Sequence, residues 1–135
     1  MTRYAALIDG EAGGYGVVFP DLPGCTAMGE TTEAALVNAA DALRDWIDVS
    51  EDIGAPVPPP QPIETLRADA EVAEALAAGA LLATVPLIRH SGRPVKANLS
   101  LDSGILEAID AEAKRRKLTR SAFIETMARE MLAEG

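Results

Sequence analysis

The sequence predicts an α+β fold in two parts, a β-β-β-α-α-β domain followed by a small strand-helix-helix domain. Three observations predict it. Apolar residues alternate near the start, they recur at helical spacing further on, and a proline-rich connector and a later hinge interrupt the pattern. With 135 residues, of which 48% are hydrophobic, the chain can hold one ordinary domain, or a small domain plus a very small one.

The front of the sequence predicts an antiparallel sheet. Residues 4–8 and 15–20 have the pattern of strands, and the glycine-rich segment 10–14 supplies the turn between them. Residues 26–29 are predicted to form a short third strand.

A long helix is predicted to begin after Thr31, whose side chain suits the N-cap position. The apolar residues that recur at helical spacing are Leu36, Ala40, Leu43 and Ile47. The helix should stop near Gly54, because Pro56 cannot continue it.

The segment 54–62 holds five prolines, which predicts a stiff and extended connector. A second helix is predicted over about residues 63–78, with Gly79 as its C-terminal stop. Residues 81–88 are apolar enough to return to the sheet as a buried strand, in which Pro86 implies a sheet edge or a strand end.

A hinge is predicted at residues 90–93, between a domain at 1–89 and a domain at 94–135. The charge divides at the same place. Residues 1–89 carry four arginines against fourteen acids, a net charge of −10, whereas residues 94–135 carry seven cations and seven acids. The acidity of the front domain suggests a basic partner, and solubility is the alternative explanation.

The second domain is predicted to contain a short strand at 95–101 and two helices, capped by Asp102 and Thr119. The residues expected to face inward are Leu106, Ile109 and Ala113 in the first helix, and Phe123, Ile124, Met127, Met131 and Leu132 in the second. A strand and two helices in about forty residues cannot bury an adequate core, so we expect this domain to form a homodimer.

The single cysteine excludes an internal disulfide and fits a reducing cytoplasm, where we expect the protein to reside. No apolar run approaches the roughly 20 residues that a membrane helix needs, so no membrane association is expected.

Two stretches of the front domain carry a family resemblance. Residues 18–26 read V-F-P-D-L-P-G-C-T, and residues 29–35 read G-E-T-T-E-A-A at the start of the long helix. This pattern resembles the HicB antitoxin family, with Ala34 in place of the usual second acid. Over roughly residues 1–89, the resemblance implies a reduced ribonuclease-H-like fold that binds and occludes HicA, a small basic toxin with a double-stranded-RNA-binding fold that cleaves mRNA.

The segments 96–101 and 118–124 resemble ribbon-helix-helix domains, which many HicB proteins carry. In such domains two strands from two chains pair and enter the major groove of DNA. Lys96, Asn98 and Ser100 alternate onto the polar face of the predicted strand, so we expect them to read base edges.

The start of the last helix, formed by Thr119, Arg120 and Ser121, offers backbone N–H groups, a positive helix end and a cation. These features predict phosphate binding, in addition to ordinary capping. The basic run at residues 114–117 is better explained by the favourable position of cations at a helix C-terminus.

These features together predict an antitoxin and autorepressor that binds a HicA-like toxin and operator DNA. The protein would be a homodimer through its C-terminal domain, or a tetramer if the front domains also pair. Asp21 and Glu30 are candidates for facing the toxin. The alternative is a stand-alone ribbon-helix-helix transcriptional regulator whose front domain senses a small molecule.

The ribonuclease-H-like resemblance also raises the question of catalysis. Such nucleases need carboxylates that converge on divalent metals. The candidates are Asp9, Asp21, Glu30 and Asp48, and their spacing does not bring them together. One cysteine and one histidine cannot form a tetrahedral zinc site within one chain. We therefore expect no enzymatic activity, no metal and no cofactor.

Overall fold

A computed structural model describes residues 1–134 and divides the chain into two compact units, whose main parts are Met1–Arg89 and His90–Leu132. The predicted α+β class is confirmed, because the described residues form a four-stranded antiparallel sheet and five helices. None of the described helices is both long and apolar enough to span a membrane.

The sheet lies in the first unit, and its strand order is β3-β2-β1-β4. The strands are β1 (Arg3–Glu11), β2 (Gly14–Val18), β3 (Thr26–Gly29) and β4 (Leu81–Pro86). Residues 4–8 of the central β1 are buried on both faces of the sheet. Pro86 ends β4, an edge strand, which confirms the position expected for this proline.

Helix α1 (Thr32–Asp52) covers one face of the sheet. The Thr31 hydroxyl accepts a hydrogen bond from the Ala34 amide at 3.0 Å, so the predicted N-cap is confirmed. The buried apolar residues of the helix belong to the same cluster as strand residues such as Ile8, Val17 and Val85, and they are Ala35, Ala39, Ala40, Leu43 and Ile47.

The prediction of one helix over residues 63–78 is wrong. The structure has two short helices, α2 (Ile63–Ala68) and α3 (Ala70–Ala77), separated by Asp69. Asp69 has extended backbone angles, φ −68° and ψ 133°, and its carboxylate accepts a hydrogen bond from the Val72 amide at 3.2 Å. Aspartate favours such a cap over a helix interior, because its short side chain binds nearby backbone amides.

The second unit contains α4 (Ser103–Arg115) and α5 (Arg120–Glu134). Asp102 caps α4 by accepting from the amides of Gly104 and Ile105 at 2.9 and 3.1 Å, and Thr119 caps α5 by accepting from the Ala122 amide at 3.1 Å. Both predicted caps are confirmed.

Lys117 terminates α4 in the left-handed region, at φ 59°. The next amide, that of Leu118, donates to the Ala113 carbonyl at 2.8 Å. This is the closing bond of a Schellman motif, in which a glycine is the usual residue at the left-handed position.

In the single chain, residues 95–101 do not form the predicted strand. These residues carry no helix or strand, and they pair with no strand among residues 1–134. A strand needs a neighbour to receive its hydrogen bonds, and the neighbour that the sequence predicts is the same segment of a second copy. The intermolecular ribbon therefore stays a prediction.

Candidate nucleic-acid and partner interfaces

The three residues predicted to read DNA, Lys96, Asn98 and Ser100, are all exposed. Every other residue from 91 to 105 is exposed as well, including the apolar residues that alternate with these three along the segment. Both faces of the segment are therefore accessible to a partner.

The second unit leaves much of its apolar surface uncovered. Between residues 90 and 132 only Ala113 and Phe123 are buried, whereas Val95 is 88% exposed and Met131 is 76% exposed. The other large apolar residues with high exposure here are Leu99, Leu101, Ile105, Leu118 and Leu132. Large apolar side chains exposed in this number in a small unit favour contact with a partner.

The predicted inward positions of α4 and α5 are accordingly only partly covered. Leu106, Ile109, Ile124 and Met127 are half-buried, while Met131 and Leu132 are exposed. The predicted homodimer would cover these side chains with a second copy of the chain.

The start of α5 carries a contact that no sequence pattern predicts. Arg120 donates from Nε and Nη2 to both carboxylate oxygens of Asp110 on α4, each at 2.8 Å. The hydrogen bond from Arg120 lowers the pKa of Asp110. The predicted phosphate-binding cation is thus already held by a carboxylate, whereas Ser121 beside it is exposed.

Two cations at the end of α4, Arg115 and Arg116, also have partners within the chain. Glu112 accepts hydrogen bonds from Arg115 and Arg116, which lower its pKa to about 2. The Arg116 guanidinium lies 5.4 Å from the centroid of the Phe123 ring, within the range of a cation–π contact. These contacts agree with a structural explanation of the basic run.

In the first unit, the residues of the family motif shape the junction between β3 and α1. Gly24 has φ +87°, and a Cβ on Gly29 would lie 2.3 Å from the Ala35 amide nitrogen. Leu22 is fully buried, and Cys25 is buried so that desolvation raises the pKa of its thiol to about 11. The motif therefore explains how the chain turns, closes on the helix and fills the core.

The two residues predicted to face the toxin differ in their surroundings. Asp21 is buried, and it accepts hydrogen bonds from the amide nitrogen and Nε2 of Gln61, at 3.2 and 2.6 Å. Nearby, the Tyr4 hydroxyl donates to the Pro58 carbonyl at 2.6 Å. Asp21 and Tyr4 thus hold the proline-rich connector, whereas the Glu30 side chain is exposed at the end of β3.

Two of the four carboxylates considered for catalysis have partners of their own. Asp21 binds Gln61, and Asp48 accepts a hydrogen bond from Arg89 at 2.9 Å. Among residues 1–134 no group of three or more His, Cys, Asp or Glu side chains is arranged to hold a metal ion.

Solved antitoxin structures resemble this chain. The crystal structure of the Burkholderia pseudomallei antitoxin HicB is 31% identical, with a TM-score of 0.55, and the match covers 98% of this chain and 99% of that chain. A chain of a HicA3 and HicB3 toxin–antitoxin complex is 28% identical with a TM-score of 0.53, and the match covers 63% of this chain and 96% of that one.

A phage protein is also similar in sequence. An uncharacterized 14.9 kDa protein from the rep-hol intergenic region of Haemophilus phage HP1 is 28% identical over 107 residues, which are 79% of this chain and 78% of that protein.

The family described as the HicB-like antitoxin of bacterial toxin–antitoxin systems matches residues 4–128. That range includes the P-D-L-P-G-C motif and the start of α5, the two regions that carry the resemblance in the sequence. The chain therefore belongs to the HicB-like antitoxin family.

Proposed function

We propose that this antitoxin neutralises a small basic HicA-like toxin with residues 1–89, and that residues 94–135 dimerise on operator DNA and repress the operon in the cytoplasm of its host. The observation that carries the proposal is the uncovered apolar surface of the second unit, exemplified by Val95 at 88% exposure, next to exposed polar side chains at Lys96 and Asn98.

Toxin binding is supported by charge and by similarity. The net charge of −10 over residues 1–89 attracts a basic partner and speeds its encounter. The similarity to a chain of the HicA3 and HicB3 complex supports a toxin as that partner. Neutralisation would be steric and electrostatic, since an acidic domain seated on an RNA-binding surface excludes RNA and repels its phosphates.

Operator binding would need two copies. Pairing of two 95–101 segments as antiparallel strands buries Val95, Leu99 and Leu101 against the helices of the dimer. The alternate residues then face the major groove. Asn can make two hydrogen bonds to an adenine edge, and Lys can donate to guanine.

The start of α5 would fix the position of the dimer on the DNA. Backbone amides of the first helical turn and the positive end of the helix dipole favour a phosphate there. Thr119, whose side chain caps the helix, Ser121 and the Arg120 guanidinium are the groups that we propose for this contact.

Co-expression of the full-length chain with the small open reading frame beside its gene tests the toxin part of the proposal. We expect the chain to restore growth of cells that produce the toxin, and to co-purify with it. A full-length chain that neither binds the neighbouring product nor restores growth would contradict toxin neutralisation.

A matched pair of lysine variants tests the DNA part. Lys96 and Lys114 are both exposed cations of the second unit, and only Lys96 lies on the predicted ribbon. We expect Lys96→Ala to weaken operator binding about tenfold, as for the loss of one good base contact, and Lys114→Ala to change it little. Fluorescence anisotropy at fixed salt measures both, and equal losses would contradict base reading by the ribbon.

Light scattering of the full-length chain tests the assembly. A dimer is the expected species, and a tetramer would indicate that the front domains also pair. A stable monomer at micromolar concentration would contradict the ribbon, because one copy leaves Val95 and Met131 uncovered.

A further inference from the structure

A groove lies on the face of the sheet opposite α1. It is a cavity of about 560 Å³ between the strands and the helices α2 and α3, within the first unit. Its apolar lining includes Leu7, Val18, Leu66, Val72 and Ala75. Asp69, the residue at the break between α2 and α3, also lines this cavity.

Apolar surface continues from the groove across the sheet. Leu7 and Val18 are register partners, so their side chains lie side by side on this face, yet Val18 is 46% exposed. Val18 pairs in turn with Thr26 on β3, and Met28, two residues further, shares that face and is 71% exposed. The exposed apolar side chains, Val18 and Met28, lie on two neighbouring strands, and an open surface of this kind suits a peptide segment better than a small enclosed ligand.

The charge of the groove has one sign. Among its lining residues, Asp69 and Glu71 are carboxylates and none is a cation. Asp69 is engaged as the cap of Val72, whereas Glu71 is exposed and has no ion pair among residues 1–134. Glu71 is therefore the carboxylate placed to meet an incoming cation.

We propose that this groove is the docking site for a basic segment of the toxin that carries an apolar anchor residue. The anchor packs on Val18 and Ala75, the accessible apolar side chains of the lining, and an adjacent cation pairs with Glu71. The inference rests on the proposed toxin neutralisation and adds the surface and the chemistry of the contact. Interfaces of this kind take most of their affinity from a few buried anchors with charged residues at the rim.

Two matched pairs of variants in the full-length chain test the groove. Glu71→Lys is compared with Glu74→Lys, because both residues are exposed on α3 and only Glu71 lines the groove. The two variants change the net charge equally, so a difference between them reports position and not overall charge. Ala75→Phe, which fills the groove, is compared with Ala73→Phe at an exposed position of the same helix.

The measurement is calorimetric titration of each variant with the purified toxin from the adjacent gene, carried in a catalytically inactive form. Glu71→Lys and Ala75→Phe should each raise the Kd about tenfold or more, while Glu74→Lys and Ala73→Phe should stay within about twofold of the wild type. Thermal unfolding of each variant checks that it folds, and Glu71→Lys, on the surface, decides the matter if Ala75→Phe does not fold.

The outcomes separate the groove from the function itself. Tight binding by the wild type together with unchanged binding by Glu71→Lys and Ala75→Phe overturns the groove and leaves toxin neutralisation intact. Equal weakening by Glu71→Lys and Glu74→Lys also overturns it, because long-range charge then explains the effect. A wild-type chain that does not bind the toxin overturns the proposed function.

Discussion

Replacement of Asp110 by Asn should strengthen operator binding. In the wild type both carboxylate oxygens of Asp110 accept hydrogen bonds from Arg120 at 2.8 Å, and these bonds occupy the Nε and Nη2 donors that a phosphate would use. Asparagine keeps the size of the side chain, removes the charge and offers a single acceptor oxygen. The Arg120 guanidinium then turns more readily to DNA.

The expected size of the effect follows from counting charges. Each phosphate neutralised by a protein cation adds about −0.9 to the slope of log K against log salt, so two released arginines per dimer add about −1.8. When the salt concentration rises from roughly 50 to 200 mM, the fold-loss of operator affinity should therefore be about twelve times larger for the variant than for the wild type. At the low-salt end it should bind the operator more tightly.

Fluorescence anisotropy titrations over that range of salt measure both quantities. Glu107→Gln is the matched control, because Glu107 is an exposed acid of α4 that does not contact Arg120 among the hydrogen bonds of the described chain. Its removal changes the net charge equally. Arg120→Ala combined with Asp110→Asn should bind no better than Arg120→Ala alone.

Three results would contradict a competition between Asp110 and a DNA phosphate for Arg120. If Asp110→Asn leaves the operator affinity unchanged or weakens it, Asp110 positions Arg120 for the phosphate and does not compete with the phosphate. An equal gain in Glu107→Gln would reduce the effect to net charge. An Arg120→Ala variant with wild-type affinity would remove Arg120 from the phosphate contact.

Further predictions concern stability and reactivity. Gly29→Ala places a Cβ 2.3 Å from a backbone nitrogen of α1 and should lower the free energy of unfolding by about 1–3 kcal/mol in urea titrations, whereas Gly14→Ala, with open space around it, should not. Lys117→Gly should raise the melting temperature slightly, since glycine relieves the left-handed strain at φ 59°, with a gain of about 0.5 kcal/mol, while Lys114→Gly within the helix should lower it. Burial raises the pKa of the Cys25 thiol from 9.0 to about 11, so Cys25 should resist alkylation at pH 8 in the native protein and react in urea. The contribution of the buried neutral thiol to the free energy of unfolding is present below pH 9.0 and is lost as the pH rises through about 11. Rapid native labelling, or a melting temperature that Lys117→Gly lowers, would contradict these explanations.

Local signals in the sequence predicted the helix starts well. Thr31, Asp102 and Thr119 all make the cap hydrogen bonds expected of them, because a cap depends on residues within one turn. The strand order around β1 has no such local signal, because it depends on pairing between segments far apart in the chain. The end of β4 at Pro86 followed from the missing amide of proline.

The contacts that sequence reasoning missed all depend on packing between distant segments. Asp69 lies in an apolar helical pattern that continues through it, and only the structure shows that the helix breaks there. Arg120 and Asp110 are ten residues apart in sequence and meet because α4 and α5 pack together. The hydrogen bond between Asp21 and Gln61 spans 40 residues. No spacing rule connects such pairs, although a buried acid in a turn motif could have suggested an internal partner for Asp21.

The two bonds to the connector set its permitted length. Tyr4 holds the carbonyl of Pro58, and Asp21 holds Gln61, so the residues between these anchor points must span a fixed distance. Removal or insertion of a single proline would move one anchor by about 3 Å, the rise per residue of an extended polyproline chain. The segment therefore connects two anchor points at a fixed length. Fusion tags, insertions and circular permutation should be tolerated poorly there and much better between residues 90 and 94, where the side chains are exposed.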